Sequence, residues 1–302
     1  MDLPALAFAA GLAAYSPVVV PTPKAKTQNA VLPPLSVSDM AVSAASGGVV
    51  SWPDLISSLM SARVIAVGEK HDEASHHRVQ AAVVSSIAAL DPNVVVGLEM
   101  VSQDLQPGLD DFMSGKISES DFIAFWKKAW GYDYALYKPI FDAARARHLR
   151  VVGLNAPISL VLAVAKKGLA GLTLAERAAL PFSIQESSDP RYRSFVHDSL
   201  AGHKLPPDAE ARMTEAQAVW NEVMGAKTAE LARDSRVLVI AGQGHMLWRA
   251  GIPESAARRG VPSAAVVLPY PLDGEVLPLP EQLSRLQDPA ELSLADDFVL
   301  IP

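Results

Sequence analysis

The sequence has no cysteine. That excludes a disulfide framework, a thiolate nucleophile and a thiolate metal site, and no residue of this chain can carry a lipid on sulfur. Positive charge is not in excess either. With 26 Lys and Arg against 33 Asp and Glu the net charge is −7, which leaves no basic footprint for nucleic acid. No P-loop, Gly-x-Gly-x-x-Gly or Gly-x-Ser-x-Gly elbow occurs, so nucleotide binding by those devices and serine-hydrolase chemistry lack support. Aromatics make up only 6% of the chain, which makes any crowding of them informative. Apolar residues are plentiful, 50% of 302, enough for one large α/β domain or two smaller ones.

Residues 3–20 are apolar and rich in alanine. They read either as the h-region of an export signal, with a cleavage site near Ala13–Ala14, or as a disordered leader. Gly11, Pro17 and the short length count against a membrane span. Pro17, Pro21, Pro23, Pro33 and Pro34 make 17–37 an extended linker. The expected organisation is a leader and linker over 1–45, a folded domain over 46–270 and a Pro-rich tail over 271–302.

Within the domain, β-branched runs bounded by Gly or Pro predict strands at 63–67, 94–98, 150–154 and 236–241, with a fifth at 262–268. Apolar residues at three-four spacing predict helices between them, one opening at Ser51-Trp52-Pro53-Asp54 and another spanning about 73–90. The stretch 158–233 reads as mostly helical, and is too long for one crossover. Strand, helical crossover, strand is the signature of a parallel sheet. The fold class expected is α/β, a mostly parallel β-sheet flanked by helices, with a helical cap subdomain at about 158–233.

Four predicted strand ends carry polar residues: Glu69 and His71, Glu99, Asn155, and His245. In a parallel sheet all four ends share one edge. Two carboxylates and two histidines there suit a divalent metal held by Glu69, His71 and His245, or acid–base work by Glu69, His71, Glu99 and His245. The plainer alternatives are a helix-capping role for Glu69 and a tight turn at Gly242-Gln243-Gly244-His245. Of His76 and His77, on the first turns of the following helix, one can face the strand ends. Gln217 and Asn221, one turn apart on a long helix, fit either a solvated face or support for the site.

Phe122, Phe125, Trp126, Trp130, Tyr132, Tyr134, Tyr137 and Phe141 fall within twenty residues, in a chain with only 5 Trp, 6 Tyr and 8 Phe. Such a stripe packs against a sheet, or walls a flat apolar ligand with a tyrosine hydroxyl placed to bind iron.

With these residues in view the sequence resembles the ChaN family of haem-binding uptake proteins, in the Tiki/erythromycin-esterase-like superfamily. The matching series is Gly68-Glu69-x-His71, His76-His77-x-x-Gln80, Gly97-Leu98-Glu99-Met100, Trp130 with Tyr137-Lys138-Pro139-Ile140, and Gly153-Leu154-Asn155. It continues as Asp189-Pro190-Arg191-Tyr192-Arg193, Gln217-x-x-Trp220-x-Glu222-x-Met224 and Gly242-x-Gly244-His245. The resemblance spans roughly 60–270. It implies an α/β core with a helical cap and haem as ligand, in some members as cofacial haems in a homodimer with a tyrosine on iron. Tyr137 and Tyr134 are the candidates here, with Trp130, His77 and Asn155 as further cofactor-binding residues. The superfamily's hydrolases imply instead that Glu69, His71, Glu99 and His245 form a hydrolytic set, in some relatives with a metal. Three departures stand out. Lys70 replaces a small residue, Asn221 stands where Asp is usual, and the lipid-anchoring cysteine of bacterial members is missing. The last leaves an exported or organellar location, periplasm or plastid, with peripheral membrane association as an expectation.

Three readings follow. The chain binds haem or a related flat ligand in iron uptake or tetrapyrrole handling; it is a metal-dependent hydrolase; or its edge residues only hold the sheet together for a partner-binding scaffold.

Overall fold

The structure is a computed structural model that describes residues 41–201, 206–272 and 279–301. The export-signal reading of 3–20 and the linker reading of 17–37 lie outside the described residues. A hairpin of β1 (Ala41–Ser43) and β2 (Gly48–Val50) leads into α1 (Trp52–Leu59), capped by Ser51 with proline in its first turn. Then β3 (Val64–Glu69), α2 (Ala74–Leu90) and β4 (Val95–Ser102) make a strand–helix–strand unit. Helices α3 (Gln106–Met113), α4 (Glu119–Ala129) and α5 (Tyr134–Ala146) carry the chain to β5 (Arg150–Asn155). The long insertion supplies α6 (Ile158–Lys167), α7 (Leu174–Ala178), α8 (Pro190–Ala201) and α9 (Pro207–Leu231). Last come β6 (Val237–Gly242), α10 (Ile252–Arg258), β7 (Ala264–Pro271), α11 (Leu279–Leu286), α12 (Pro289–Leu292) and β8 (Asp297–Ile301).

The eight strands form one sheet in the order β2-β1-β8-β7-β3-β6-β4-β5. From β8 to β5 every neighbouring pair is parallel, and only β1 runs antiparallel to its neighbours β2 and β8. The α/β class and the mostly parallel sheet read from the sequence are therefore what forms. Successive strand residues face opposite sides, and both sides are buried. Val64, Ala66, Val237 and Val239 pack with residues of α6, α8 and α9. Ile65, Val67, Leu238 and Ile240 pack with α1, α2 and the aromatic helices α4 and α5. Burial on both faces is why these strands read as unbroken apolar runs. The inserted helices are the layer covering one face. Glu222 of α9, itself buried, pairs with Arg258 of α10 and with Arg259 just past its end, and fastens that layer.

The sheet reaches further than the sequence pattern. β1 lies in the stretch expected as linker and β8 in the stretch expected as tail, and they pair with each other through Val42 and Phe298. Runs of three and five residues are too short to stand out without their partner. Among the described residues no helix is long and apolar enough to cross a membrane.

Candidate functional site

Strands β3, β6, β4 and β5 are consecutive and parallel, so the four polar strand ends meet on one edge. Glu69 closes β3 opposite Gly242, the last residue of β6. Gly68 is what allows this approach. A Cβ there would stand 2.5 Å from Leu268 Cδ2 of β7, and 3.2 Å and 3.3 Å from Gln243 Cβ and Cα just past β6. Glu99 is not a strand terminus as the sequence suggested. Its strand runs on to Ser102, but pairing with β6 stops at Leu98 and the register with β5 shifts between Leu98 and Ser102. That irregularity turns the Glu99 carboxylate inward, where Oε2 accepts from the Gly242 N–H at 2.6 Å.

Two carboxylate–imidazole pairs result. In the first, Glu69 Oε1 accepts from Tyr137 Oη at 2.6 Å and shares a 2.7 Å hydrogen bond with His71 Nδ1. His77 Nε2 lies 3.4 Å from Glu69 Oε2, an ion-pair distance too long for a strong hydrogen bond. In the second, His245 Nε2 lies 3.2 Å from Glu99 Oε1, and its Nδ1 is 2.7 Å from Asn221 Oδ1. All of these side chains are buried. Burial alone would raise the carboxyl pKa values, but the neighbouring histidines outweigh it. Glu69 is held well below the usual carboxylate range by His77 and His71, and Glu99 below its ordinary value chiefly by His245. Burial disfavours a charged His71, yet its hydrogen bond to Glu69 and the field of Glu99 raise its pKa.

A helical frame holds the second pair. Asn221 Nδ2 donates to Tyr192 Oη at 2.9 Å, and that hydroxyl donates to the Gly244 carbonyl at 2.7 Å. The tyrosine of α8, the amide of α9 and the turn carrying His245 are thereby locked together. The turn itself leaves through two left-handed residues, Trp248 and Arg249 (φ 57° and 58°). Asn155 bridges β5 to β4, donating to the Glu99 carbonyl at 3.0 Å and accepting from the Ala156 N–H at 2.8 Å.

The expected site residues thus divide. Glu69, His71, His77, Tyr137 and Trp130 form one group, with Trp130 Nε1 donating to Tyr137 Oη at 3.0 Å and the Tyr137 ring 4.2 Å from that of His77. Glu99, His245 and Asn155 form a second. Tyr134 joins neither, because one turn earlier on α5 it enters an aromatic cluster of Phe112, Phe122, Trp126 and Phe141. The metal set is not assembled as one group either. Glu69 and His71 bond each other while His245 is held by Glu99 and Asn221, and among the described residues no three or more His, Asp or Glu are arranged to hold a metal ion.

Two residues gain importance that the pattern did not assign. Tyr192 is the hub of the helical frame, signalled only by its place in Asp189-Pro190-Arg191-Tyr192-Arg193. Tyr132 tilts over His71 with ring centroids 5.3 Å apart, while Trp130 meets the same imidazole edge-on at 4.8 Å. These two rings are only partly buried. Beneath them His71 Nε2 is buried with no hydrogen-bond partner. On the opposite flank Trp220 is edge-on to His245 at 6.4 Å and also lines a small apolar groove with Ile158, Val161, Leu162 and Met213.

A family model described as haem-binding uptake, Tiki superfamily, ChaN matches residues 55–255. Among solved structures, ChaN of Campylobacter jejuni, described with cofacial heme binding, superposes with a TM-score of 0.62 at 20% identity, covering 88% of this chain and 98% of that one. That likeness shows the fold. An erythromycin esterase in its open conformation is similar at TM-score 0.43 and 12% identity over 72% of each chain. The type III effector HopBA1 is similar at TM-score 0.45 and 12% identity, over 82% of this chain and 90% of that one. No curated protein matches the sequence significantly.

Proposed function

The chain belongs to the ChaN family of haem-binding uptake proteins in the Tiki superfamily, and on that premise we propose that it binds haem, or a closely related flat tetrapyrrole, at the polar edge of β3, β6, β4 and β5. The observation that carries the reading is the pairing of two partly buried rings, Trp130 and Tyr132, with an imidazole nitrogen that has no partner. A buried polar atom without a partner costs on the order of 1–3 kcal/mol, and a ligand that engages it recovers that cost. The donor set therefore fits an iron tetrapyrrole, whose iron would supply a redox-active centre.

The chain's own part is to bind, orient and exclude water. Trp130 and Tyr132 offer aromatic faces to a flat ligand, Glu69 fixes the His71 ring, and the Tyr192–Asn221–His245 frame keeps the neighbouring turn in place. Handling of haem iron or of tetrapyrroles, and a homodimer as the bound form, belong to the same proposal. Haemin added to the purified full chain is expected to give a saturable Soret shift, with sedimentation reading whether two copies associate. A Soret band identical to that of free haemin would overturn the reading.

A second reading, acid–base hydrolysis, is favoured by the two buried carboxylate–imidazole pairs, Glu69–His71 and Glu99–His245. A proton donor and a proton acceptor on one edge are what ester cleavage needs. Turnover of a chromogenic ester no faster in the native chain than in Glu99→Gln would sink it.

A further inference from the structure

α6 and α9 lie side by side over the sheet, and the small groove that Trp220 lines runs between them. Its floor is Val161, Ala216 and Trp220, all buried, and its rim is Ile158 and Leu162, which are 46% and 37% exposed. Half-buried Ala165 and Met213 close the far end, where Arg212 Nε donates to the Ala165 carbonyl at 3.2 Å. Every side chain along the groove is apolar, so an occupant gains by burying hydrocarbon and not by directional bonds. The space is about 260 Å³, below the roughly 300–1,000 Å³ of sites that enclose drug-sized ligands. That is too little for a tetrapyrrole and suits one slender chain.

The length follows from the helix. From Ile158 to Ala165 the rim spans about 10 Å at 1.5 Å per residue, and an extended chain advances about 1.2 Å per bond.

The two ends differ in charge. At one, Trp220 stands edge-on to His245, whose Nε2 faces Glu99. Glu99 is held in its ionised form chiefly by that histidine, which makes this end a poor place for an anion. At the other end, Lys166 continues the stripe of Ile158 and Leu162 at four-residue spacing. The charges around it are already engaged. Lys167 pairs with Glu176, Arg212 pairs with Asp208, and Glu215 accepts from the Leu169 N–H at 2.6 Å. Lys166 is exposed and has no partner among the described residues.

We propose that this groove binds a single aliphatic chain of about eight to ten carbons ending in a carboxylate, with the carboxylate on Lys166 and the far end of the chain against Trp220. The site is separate from the polar edge and stands whether or not the chain binds haem.

The test uses the full chain and straight-chain carboxylates from butyrate to tetradecanoate, followed by titration calorimetry. Affinity is expected to rise about 2- to 4-fold per added methylene as far as decanoate and to level off beyond it. 10-Bromodecanoate, with its bromine at the chain end, is expected to quench tryptophan fluorescence more than 2-bromodecanoate, and Trp220→Phe to abolish the difference. Lys166→Gln is expected to weaken decanoate binding about 2- to 5-fold and to leave decanol binding unchanged. Leu162→Gln, an exposed rim position, is expected to weaken both. No binding of decanoate, affinity that keeps rising through tetradecanoate, or equal quenching by the two bromo isomers overturns the proposal. So does a native dimer that Leu162→Gln dissociates in sedimentation, which would make a second copy the occupant. Flotation of the native chain with phosphatidylglycerol vesicles that Leu162→Gln abolishes would assign the face to a membrane instead, and overturns it equally.

Discussion

Tyr137 on α5 and Glu69 on β3, 68 residues apart in sequence, share a 2.6 Å hydrogen bond in which the phenol donates and the carboxylate accepts. The bond ties the aromatic helices to the sheet edge. It also fixes the carboxylate that holds His71.

Tyr137→Phe removes the donor and leaves the ring in place. Glu69 keeps His71 but loses one of its two close partners, and Trp130 Nε1 loses its acceptor. A buried charged acceptor deprived of a donor costs about 1–3 kcal/mol. The unfolding free energy is expected to fall by that amount, read as a lower urea midpoint with an unchanged slope. A variant as stable as the native chain would mean the bond contributes nothing net.

Gly153 sits where β4 and β5 change register. A Cβ there would lie 2.6 Å from the Val101 carbonyl oxygen and 3.1 Å from that of Ser102. These are backbone atoms of a central strand and have no rotamer to change. Gly153→Ala is expected to cost about 1–3 kcal/mol by overpacking, seen as a lowered Tm, and to disturb Glu99 because the same irregularity aims it. Gly115→Ala, where open space surrounds the position, is the contrasting control for crowding, with only its positive φ to set against it.

Asn221 joins His245 to Tyr192. Asn221→Ala removes the close partner of His245 Nδ1 and the shorter of two donors to the Tyr192 hydroxyl, leaving only the longer Gln217 contacts at 3.3 and 3.4 Å, and is expected to destabilise by about 1–3 kcal/mol. Tyr192→Phe should cost a similar amount. Because the two residues share one network, the double variant is expected to lose less than the sum. Additivity in denaturant unfolding would show that the frame does not act as a unit.

Much of the edge was legible because its chemistry follows apolar runs. Val64–Val67 and Val237–Ala241 announce buried strands, and the residues just past them must lie on one side of a parallel sheet. Two things were not legible. The first was β1, β2 and β8, short runs that become strands only by pairing, β1 with β2 in a hairpin and with β8 at the other end of the sequence. The second was which rings face the site. Tyr134 and Tyr137 share a helical face by periodicity, yet one turn of α5 carries Tyr134 into the aromatic cluster and Tyr137 to Glu69. Tyr132, in the preceding loop, reaches His71 instead. Periodicity gives a face and not a depth along it, and loop residues have no period at all.

Asp297, at the start of β8, is buried beside the sheet hairpin. Burial raises its pKa to about 6 from 3.8, with Ser43 and Arg249 acting the other way. A carboxyl whose folded value is raised costs stability when ionised. The cost is absent below the unfolded value, grows between 3.8 and about 6, and is full above that. Asp297→Asn is expected to be more stable than the native chain at pH 8, by about 1–2 kcal/mol after allowing for solvent screening, and no more stable at pH 3.5. An equal gain at both values would point to packing instead.

His76 sets an acid limit from the other side of the edge. Burial, then His77 and Lys70 beside it, lower its pKa from 6.5 to about 3, and Glu69 opposes them weakly. Its ring is therefore neutral in the fold, where Nδ1 accepts the Lys70 N–H. The unfolded chain takes up a proton at this position near pH 6.5 and the folded chain does not. Stability from this source is full above 6.5 and declines as pH falls toward about 3, at up to about 1.4 kcal/mol per pH unit. Other groups also titrate in this range, Glu69 and Glu99 among them, so the native curve alone does not isolate His76. His76→Gln retains a side-chain acceptor for the Lys70 N–H but cannot titrate. Its unfolding free energy is expected to fall less steeply than the native chain's between pH 6 and pH 4, with the two curves diverging as pH drops. Parallel curves over that interval would show that His76 is protonated in the fold, and that the Lys70 N–H has another partner.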